Sequence, residues 1–290
     1  MANSVLGIVG GSGVYDIAMD NARWQRIDTA WGSPSDELRM GEIGGLPVVF
    51  LPRHGRGHVY SPSSINYRAN IAALKQVGVT DLISLSAVGS LKEELPPGVF
   101  VLPDQFIDRT HSRESSFFGT GCVAHVPFGE PVSSLLMAAA ERALKDEAIA
   151  YSTGGTLVVM EGPQFSTRAE SELHRSWGAS LIGMTAMPEA KLAREAEICY
   201  CNVAMVTDFD AWHPHHDVVD VQQVIATMTS NVALAKQFVL RLARDFSREH
   251  MACPVRSDRA LDGAVMTARD KRDPALLAKL KTICRAAPLE

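Results

Sequence analysis

The chain has 290 residues, of which 46% are hydrophobic and 21% are charged, as in a globular protein with a large core. Its formal net charge is −5 and its Lys and Arg residues form no run, which argues against a nucleic-acid-binding surface. Residues 1–9 lack the features of a signal peptide, and no apolar segment is long enough to cross a bilayer, so we expect a cytoplasmic protein without membrane contact. No flexible linker divides the chain, which favours a single domain over 1–290.

Short apolar runs rich in β-branched residues recur along the chain and predict strands that are buried on both faces. In chain order they cover 5–9, 48–51, 82–85, 99–102, 157–160, 181–184 and 203–206. Between them, apolar residues at helical spacing predict helices over 64–77, 133–147 and 219–246. Strands that alternate with helices indicate an α/β fold, a three-layer sandwich around a central mixed sheet.

Other signals refine this pattern. Ser133 is a predicted N-cap of the second helix, on which Leu135, Leu136, Ala139 and Ala143 are predicted to face inward. The stretch 104–131 has little periodicity and is predicted to be a loop that serves as a lid or an interface. Asp273 and Pro274 predict the start of a late helix, which packs on the body or on a neighbouring subunit.

The cysteines and histidines give no sign of a disulfide framework or a metal centre. The chain has five cysteines, an odd number, without paired CxxC spacing. Cys199 and Cys201 alternate within an apolar run, so both are predicted to be buried on one face of a sheet. A polar loop is favoured over a metal site for the cluster of His213, His215, His216 and Asp217, because HExxH order is missing. We therefore predict no metal.

Two early strand ends carry groups that suit an anion. The first predicted strand leads into Gly10-Gly11-Ser12-Gly13, where free backbone N–H groups and the Ser12 hydroxyl can meet a phosphate. A simple tight turn is the alternative interpretation. The second strand leads to Arg53, a permanently charged fork, and His54, which could donate a further hydrogen bond. The alternative is that Arg53 lies on the surface and that His54 is next to it by chance, without a common role in binding.

Three later strand ends complete a candidate pocket, because ligands of α/β sheets collect at the carboxyl ends of strands. The small residues of 84–90 would let a ligand approach the backbone, and Thr185 follows the strand at 181–184. Asp208 and Asp210 follow the strand at 203–206. A buried aspartic acid with a raised pKa could give a proton to a leaving group, whereas a solvated acidic turn is the alternative.

Several motifs in this order resemble the trimeric purine nucleoside phosphorylases, and the resemblance covers roughly residues 5–246. The motifs are GIVGGSGVYD, PRHGRGH, NYRANI, LSAVGSL, DQFIDRT, HVPFGEP, MEGPQFSTRAES, GMTAMPEA and TDFDAWH. The resemblance implies the fold of that family and a reaction in which inorganic phosphate splits a purine nucleoside. It implies no cofactor, since phosphate is a co-substrate, and it implies a homotrimer.

The resemblance also implies roles for individual residues. Phosphate would be surrounded by Ser12, Arg53, His54, Ser86, Ala87 and Thr185. The nucleoside would meet Met184 at the ribose, Phe165 near the base and sugar, and Val88 and Gly89 at the purine. His125 would be lent across the subunit interface, and Ser166 and Val221 would set specificity. Glu161 would be an acid on the sugar side, unless it only shapes its turn.

The acidic pair indicates which base is bound. Family members that act on 6-oxopurines carry Asn where Asp208 stands here, whereas a carboxylic acid can donate to N7 and accept from the 6-amino group of adenine. Apolar Val221 favours a 5′-methylthio group over a hydroxyl. The predicted reaction is therefore phosphorolysis of 5′-methylthioadenosine, with Asp208 and Asp210 as catalytic residues. The alternatives are a 5′-methylthioinosine or general purine nucleoside phosphorylase, a phosphate-independent nucleosidase, and an inactive nucleoside-binding protein.

Overall fold

The computed structural model describes residues 3–11, 13–213, 221–284 and 289, and of 221–224 it describes only the helical backbone. The strands in these residues are β1 Leu6–Gly10, β2 Asp20–Gln25, β3 Leu38–Ile43, β4 Leu46–Pro52, β5 Asp81–Ser90, β6 Phe100–Leu102, β7 Gln105–Arg109, β8 Tyr151–Thr153, β9 Thr156–Met160, β10 Leu181–Gly183 and β11 Cys199–Phe209. The α-helices are α1 Tyr67–Gln76, α2 Ser134–Asp146, α3 Arg168–Ser176, α4 Ala186–Glu195, α5 Val221–Asp245 and α6 Pro274–Leu280.

All of these strands join one mixed sheet. β1 lies between β4 and β5 and is parallel to both, and β5 is also parallel to β11 and antiparallel to β10. On one edge of β5, β1 pairs with the first residues up to Ser84, and β10 pairs with Gly89 and Ser90. The sheet therefore splits between these two neighbours, and residues 85–88 of β5 are left without a partner strand on that edge.

The core lies on both faces of the sheet, as the predicted sandwich requires. One apolar cluster joins α1 and α4 to strand residues such as Val9 and Leu82. The other joins α2 and α5 to the alternate strand residues, such as Ile8 and Ile83. This alternation follows the period of two along each strand, so both faces bury apolar side chains. The three-layer α/β architecture is confirmed.

Several local predictions are confirmed. Each of the apolar runs predicted from the sequence overlaps a strand, to within one residue at its ends, and Cys199 and Cys201 are both buried in the same apolar cluster. The Ser133 hydroxyl accepts a hydrogen bond from the Leu136 N–H and caps α2. Asp273 caps α6 through the Ala275 N–H, with Pro274 as the first helical residue.

Other predictions were incomplete or wrong. Leu135 was predicted to face inward, but its side chain lies on the outer side of α2 and is 40% exposed. The stretch 104–131 contains β7, which pairs with β9, so it is not one long loop. β2, β3, β8, α3 and α4 were also not predicted.

The residues after α5 pack on the body of the molecule. Leu261, Leu280 and Ile283 are buried and belong to the cluster on the α1 and α4 face. This places α6 against the core, which was one of the two positions expected for it. In the parts of the chain that the structure describes, no helix combines the length and apolar character needed to span a membrane.

Candidate active site

A cavity of about 540 Å³ opens where the sheet splits beside β5. It lies at the ends of β1, β4 and β11 and at the start of α4. The gap beside residues 85–88 makes room for it, because neither β1 nor β10 pairs with that part of β5. The sequence-predicted residues that line it are Arg53, His54, Ser86, Ala87, Val88, Gly89, Phe165, Met184, Thr185, Asp208 and Asp210.

The remaining predicted residues do not line this cavity or cannot be placed. Ser12 and the side chain of Val221 lie outside the described residues, although α5 begins at Val221. His125 is exposed and does not line the cavity of its own chain; its backbone N–H donates to the Ala264 carbonyl. The Ser166 hydroxyl lies 3.7 Å from the sulfur of Met160 and does not reach the cavity wall.

Arg53 is buried, with only 1% of its surface exposed, and forms an ion pair with Glu189. Its Nε and Nη2 atoms donate to the two Glu189 carboxylate oxygens at 2.9 and 3.2 Å. Nη1 donates to the Leu85 carbonyl at 2.9 Å, and Nη2 also donates to the Ser84 hydroxyl at 2.7 Å. A guanidinium has five N–H donors, so one N–H on Nη1 has no acceptor among the described residues and can donate to a ligand. The alternative of a surface arginine is therefore wrong.

The carboxylate of Glu189 is fixed by further hydroxyl groups. Ser84 and Tyr200 donate to its Oε1 atom at 2.5 and 3.1 Å. Because a buried charge is costly unless it is paired and hydrogen-bonded, this set of donors explains how Arg53 keeps its place in the core. The pairing spans 136 residues of sequence. It gives the cavity a cation whose position is set before any ligand arrives.

His54 lies beside Arg53 as a neutral ring. Its Nδ1 atom is 2.9 Å from the Tyr60 carbonyl, and because a carbonyl only accepts, Nδ1 carries the hydrogen. Burial holds the pKa of His54 down at about 4, with the nearby Arg53 charge acting in the same direction. At neutral pH its Nε2 atom is therefore an acceptor. The prediction that His54 donates to an anion is corrected: the ring can take a hydrogen bond from a protonated phosphate oxygen or a sugar hydroxyl.

Thr185 and Ser86 supply hydroxyl groups at the same end of the cavity. Thr185 immediately precedes α4, and its side chain makes no capping hydrogen bond to that helix. Ser86 lies on the unpaired edge of β5 and is 5% exposed. Together with the free N–H of Arg53, these hydroxyls can donate to an oxyanion.

The opposite end of the cavity carries two acids. β11 is irregular between Val206 and Asp208, where Asp208 lies opposite Gly89 of β5. Such a bulge redirects side chains, which accounts for the acids turning into the cavity at the strand end. Gly89 leaves the space they use, because a Cβ atom there would lie 3.4 Å from an Asp208 carboxylate oxygen and 3.2 Å from Ile182.

Asp208 is poised to hold a proton. Burial raises its pKa to about 6, a nearby charge on Asp210 adds to the rise, and the Thr207 hydroxyl, 2.6 Å from Oδ1, opposes it. Asp210 is 4% exposed, and its Oδ2 atom has no hydrogen-bond partner among the described residues. The alternative of a solvated acidic turn is therefore wrong. A ligand with donor groups would satisfy both carboxyls.

Apolar side chains line the space between the two ends. Phe165 and Met184 line the cavity, and Phe165 is 49% exposed. Met228 and Val232 of α5 form a wall that was not predicted as part of the site. Gly13 packs against this wall with a φ of +101°, and a Cβ atom there would lie 2.9 Å from Val232. α5 is therefore seated directly on the glycine turn that follows β1.

Glu161 shapes a loop at the rim and does not line the cavity. It accepts hydrogen bonds from the Ser63 hydroxyl and from the N–H groups of His111 and Ser112. Partial burial raises its pKa, but these bonds and the charge of Arg113 lower it to about 2. The structure therefore favours the turn-shaping role that was left open for Glu161.

Arg113 was not predicted, yet its side chain is 2% exposed and it joins the loops around the cavity. Its Nη1 atom donates to the carbonyl oxygens of Met184 and Met187, each at 2.6 Å, and Nη2 donates to that of Glu161 at 2.6 Å. Its only sequence signal was a basic residue inside an aperiodic stretch.

The described residues contain no group of three or more His, Cys, Asp or Glu side chains that could hold a metal ion.

The cavity therefore offers oxyanion donors at one end, an apolar middle and a protonatable acid at the other. A family model described as the phosphorylase superfamily matches residues 5–244 of this chain. The chain belongs to the phosphorylase superfamily.

Relatives within this superfamily are close over the whole chain. An S-methyl-5′-thioadenosine phosphorylase of Bradyrhizobium diazoefficiens is 62% identical over 284 residues, with 98% of each chain covered. A protein of the same name from Cereibacter sphaeroides is 55% identical over 281 residues, with 97% of each covered.

Solved structures agree with this placement. A methylthioadenosine phosphorylase from an Antarctic soil metagenomic library has a TM-score of 0.91 and 42% identity, covering 97% of this chain and 99% of its own. The methylthioadenosine phosphorylase of Schistosoma mansoni in complex with adenine has a TM-score of 0.84 and 33% identity, covering 93% and 99%. The purine nucleoside phosphorylase-like fold expected from the motifs is confirmed.

Proposed function

We propose that the protein catalyses the reversible phosphorolysis of 5′-methylthioadenosine to adenine and 5-methylthioribose 1-phosphate. The observation that carries this proposal is the pairing, in one cavity, of a buried arginine with a free N–H and an aspartic acid whose pKa is raised to about 6. An oxyanion and an amino-purine are complementary to these two ends. The relatives named for this activity support the same substrate.

At the phosphate end, inorganic phosphate accepts hydrogen bonds from Arg53, Ser86 and Thr185, and Ser12 and the backbone at Ala87 complete its surroundings. His54 accepts from the protonated oxygen of HPO₄²⁻. One phosphate oxygen attacks C1′ of the ribose as the C1′–N9 bond breaks, and the bonding electrons leave with the base. The dianion stabilises the positive charge that develops on the sugar in the transition state.

At the base end, Asp208 gives its proton to N7 of the departing adenine, so the base leaves as a neutral molecule. Its carboxylate then accepts a hydrogen bond from the 6-amino group, and Asp210 supplies a second acceptor. Proton transfer of this kind contributes roughly 10²- to 10⁴-fold to rate. Val88 and Gly89 border the purine, Met184 supports the ribose, and Phe165 covers base and sugar.

The 5′ end of the nucleoside meets an apolar surface. Met228 and Val232 supply such a surface on α5, the helix that begins at Val221. A methylthio group is better matched to these side chains than a hydroxyl, because an apolar wall leaves a hydroxyl without a partner. We keep Val221, at the start of this helix, as a specificity residue, whereas Ser166 does not line the cavity and is given no contact with the 5′ group.

His125 reaches the substrate only if a second copy of the chain supplies it. Its exposed position, away from the cavity of its own chain, is compatible with donation to a neighbouring site, and we propose a homotrimer on this basis. No metal or organic cofactor takes part in the proposed reaction, which we place in the cytoplasm.

The test is release of free adenine from 5′-methylthioadenosine with and without inorganic phosphate. We expect adenine together with 5-methylthioribose 1-phosphate, and no adenine when phosphate is omitted. Cleavage without phosphate would replace the proposal with a nucleosidase. Equal or faster cleavage of 5′-methylthioinosine or inosine would replace it with a phosphorylase of 6-oxopurines or of purine nucleosides in general.

A further inference from the structure

A fully buried amide lies behind the phosphate end of the cavity. Asn202 is in the middle of β11, and none of its surface is exposed. Its Nδ2 atom is 3.0 Å from the Ser86 hydroxyl, and it is 3.2 Å from both the carbonyl and the hydroxyl oxygen of Ser84. Asn202 does not line the cavity, and of its hydrogen-bond partners it is Ser86 that does.

The contacts at Ser84 decide which way the amide faces. A backbone carbonyl can only accept, so the Asn202 atom that meets the Ser84 carbonyl must be the NH₂ group. The Ser84 hydroxyl gives its own hydrogen to Glu189 at 2.5 Å, so it too can only accept from Asn202. With one N–H used at Ser84, the second N–H points to Ser86.

This orientation makes the Ser86 hydroxyl a donor. Its oxygen accepts from Asn202, so its hydrogen is directed elsewhere, and none of the described residues accepts that hydrogen in a hydrogen bond. Ser86 lines the cavity, where a phosphate oxygen can take this hydrogen. If the amide faced the other way, its oxygen would draw the hydroxyl hydrogen out of the cavity.

We propose that Asn202 is a positioning residue that fixes the Ser86 hydroxyl as a hydrogen-bond donor to phosphate. The inference rests on the proposed function, because it assumes that phosphate occupies the end of the cavity beside Ser86. It adds a link from the Arg53–Glu189 ion pair, through Ser84 and Asn202, to a second phosphate contact. The cation and the hydroxyl are then oriented by one continuous set of buried hydrogen bonds.

The experiment is a double-mutant cycle between Asn202→Leu and Ser86→Ala, read as KM for phosphate and, separately, as kcat and KM for 5′-methylthioadenosine. We expect Ser86→Ala to raise KM for phosphate about 10-fold or more, since a hydrogen bond to a charged ligand is lost. Asn202→Leu should raise it roughly 3- to 10-fold, with KM for the nucleoside within about 2-fold. In the Ser86→Ala background, Asn202→Leu should change KM for phosphate by less than about 2-fold.

Two further variants keep the result interpretable. If the leucine variant fails to fold, Asn202→Ser replaces it, because serine is smaller and polar. We expect its effect on KM for phosphate to depend on Ser86 in the same way. Cys201→Ala is the control, because Cys201 is equally buried in β11 and faces the other side of the sheet, so it should leave KM for phosphate unchanged.

The outcomes separate the two proposals. Equal effects of Asn202→Leu with and without Ser86 would overturn the positioning role and leave the phosphate site intact. No change in KM for phosphate on Ser86→Ala, or adenine release without phosphate, would overturn both. A raised KM for phosphate that depends on Ser86 supports the inference.

Discussion

The two ends of the cavity differ in how their charges are balanced. At the phosphate end, Arg53 is paired with Glu189, and Ser84 and Tyr200 complete the hydrogen bonds of that carboxylate. At the base end, Asp208 and Asp210 form no ion pair within the described residues, and one Asp210 oxygen has no hydrogen-bond partner there. The first end is stabilised by the fold itself, whereas the second end depends on a proton or a ligand. The group that binds phosphate therefore adds to the stability of the fold, whereas the acids that would transfer a proton lower it when they are charged.

The largest effect should come from breaking the buried ion pair. Glu189→Gln leaves the Arg53 charge buried without a counter-ion, and we expect the free energy of unfolding to fall by about 3 kcal/mol or more. Urea denaturation at pH 7.5 measures this. Glu195→Gln is the matched control, because it is the same change on the same helix. Glu195 accepts hydrogen bonds from the Ser116 hydroxyl and the Phe117 N–H, and it forms no ion pair with any residue that the structure describes. A loss of similar size in both variants would show that the ion pair has no special weight.

Removing the acid at the base end should impair turnover more than folding. Asp208→Asn cannot give a proton to N7, and its NH₂ group faces the 6-amino group of adenine. We expect kcat/KM for 5′-methylthioadenosine to fall about 10²-fold or more. The ratio of 5′-methylthioinosine to 5′-methylthioadenosine cleavage should rise, because an amide suits a 6-oxo group. Undiminished turnover of 5′-methylthioadenosine in this variant would remove Asp208 from the mechanism.

The same variant should be more stable than the natural protein at high pH. The pKa of Asp208 is raised to about 6 in the folded protein, from 3.8. The folded state therefore binds this proton more tightly, and the stability contributed by the neutral acid is lost as pH rises through about 6. The stability gain of Asp208→Asn should grow by about 2 kcal/mol between pH 4.5 and pH 8. Thermal or urea unfolding of both proteins across this range measures the gain, and a gain that does not vary with pH would contradict the raised pKa.

The smallest effect should come from removing the Thr207 hydroxyl, which donates a hydrogen bond to Asp208. In the natural protein, kcat/KM should decline above pH 6, as the raised pKa of Asp208 requires of an acid that must be protonated. The Thr207 hydroxyl lowers that pKa, so Thr207→Val should move the decline to higher pH by less than about one unit. A shift to lower pH would show that Thr207 acts by another route.

The sequence predicted the parts of this molecule whose signals are local. The apolar runs identified buried strands such as β1 and β11, and serine and aspartate before apolar stripes identified the starts of α2 and α6. α4 was not predicted because almost all of its residues are buried, so it carries no apolar stripe with a polar opposite face. β2 was not predicted because it is mostly exposed and polar.

The sequence predicted which strand ends form the site, but it did not predict the contacts between the side chains there. Ordered motifs identified Arg53, Ser86 and Asp208, and each of them lines the cavity. Nothing in the sequence pairs Arg53 with Glu189, because that contact depends on how α4 crosses the end of β5. The neutral state of His54 also depends on tertiary structure, since it follows from burial and from the Tyr60 carbonyl.

β5 sets the spacing between the two ends of the ligand. Ser86, on the unpaired part of the strand, faces the phosphate end, and Gly89, where pairing with β10 begins, borders the base end. The three residue steps from Ser86 to Gly89 correspond to about 10 Å of extended chain. A substrate must place its oxyanion and its purine edge at this spacing, with the sugar between them. Substitutions in β11 or α5 can therefore change which base or which 5′ group is accepted. A one-residue insertion between Ser86 and Gly89 would instead change the distance between the phosphate end and the base end, and we expect it to abolish catalysis for every nucleoside.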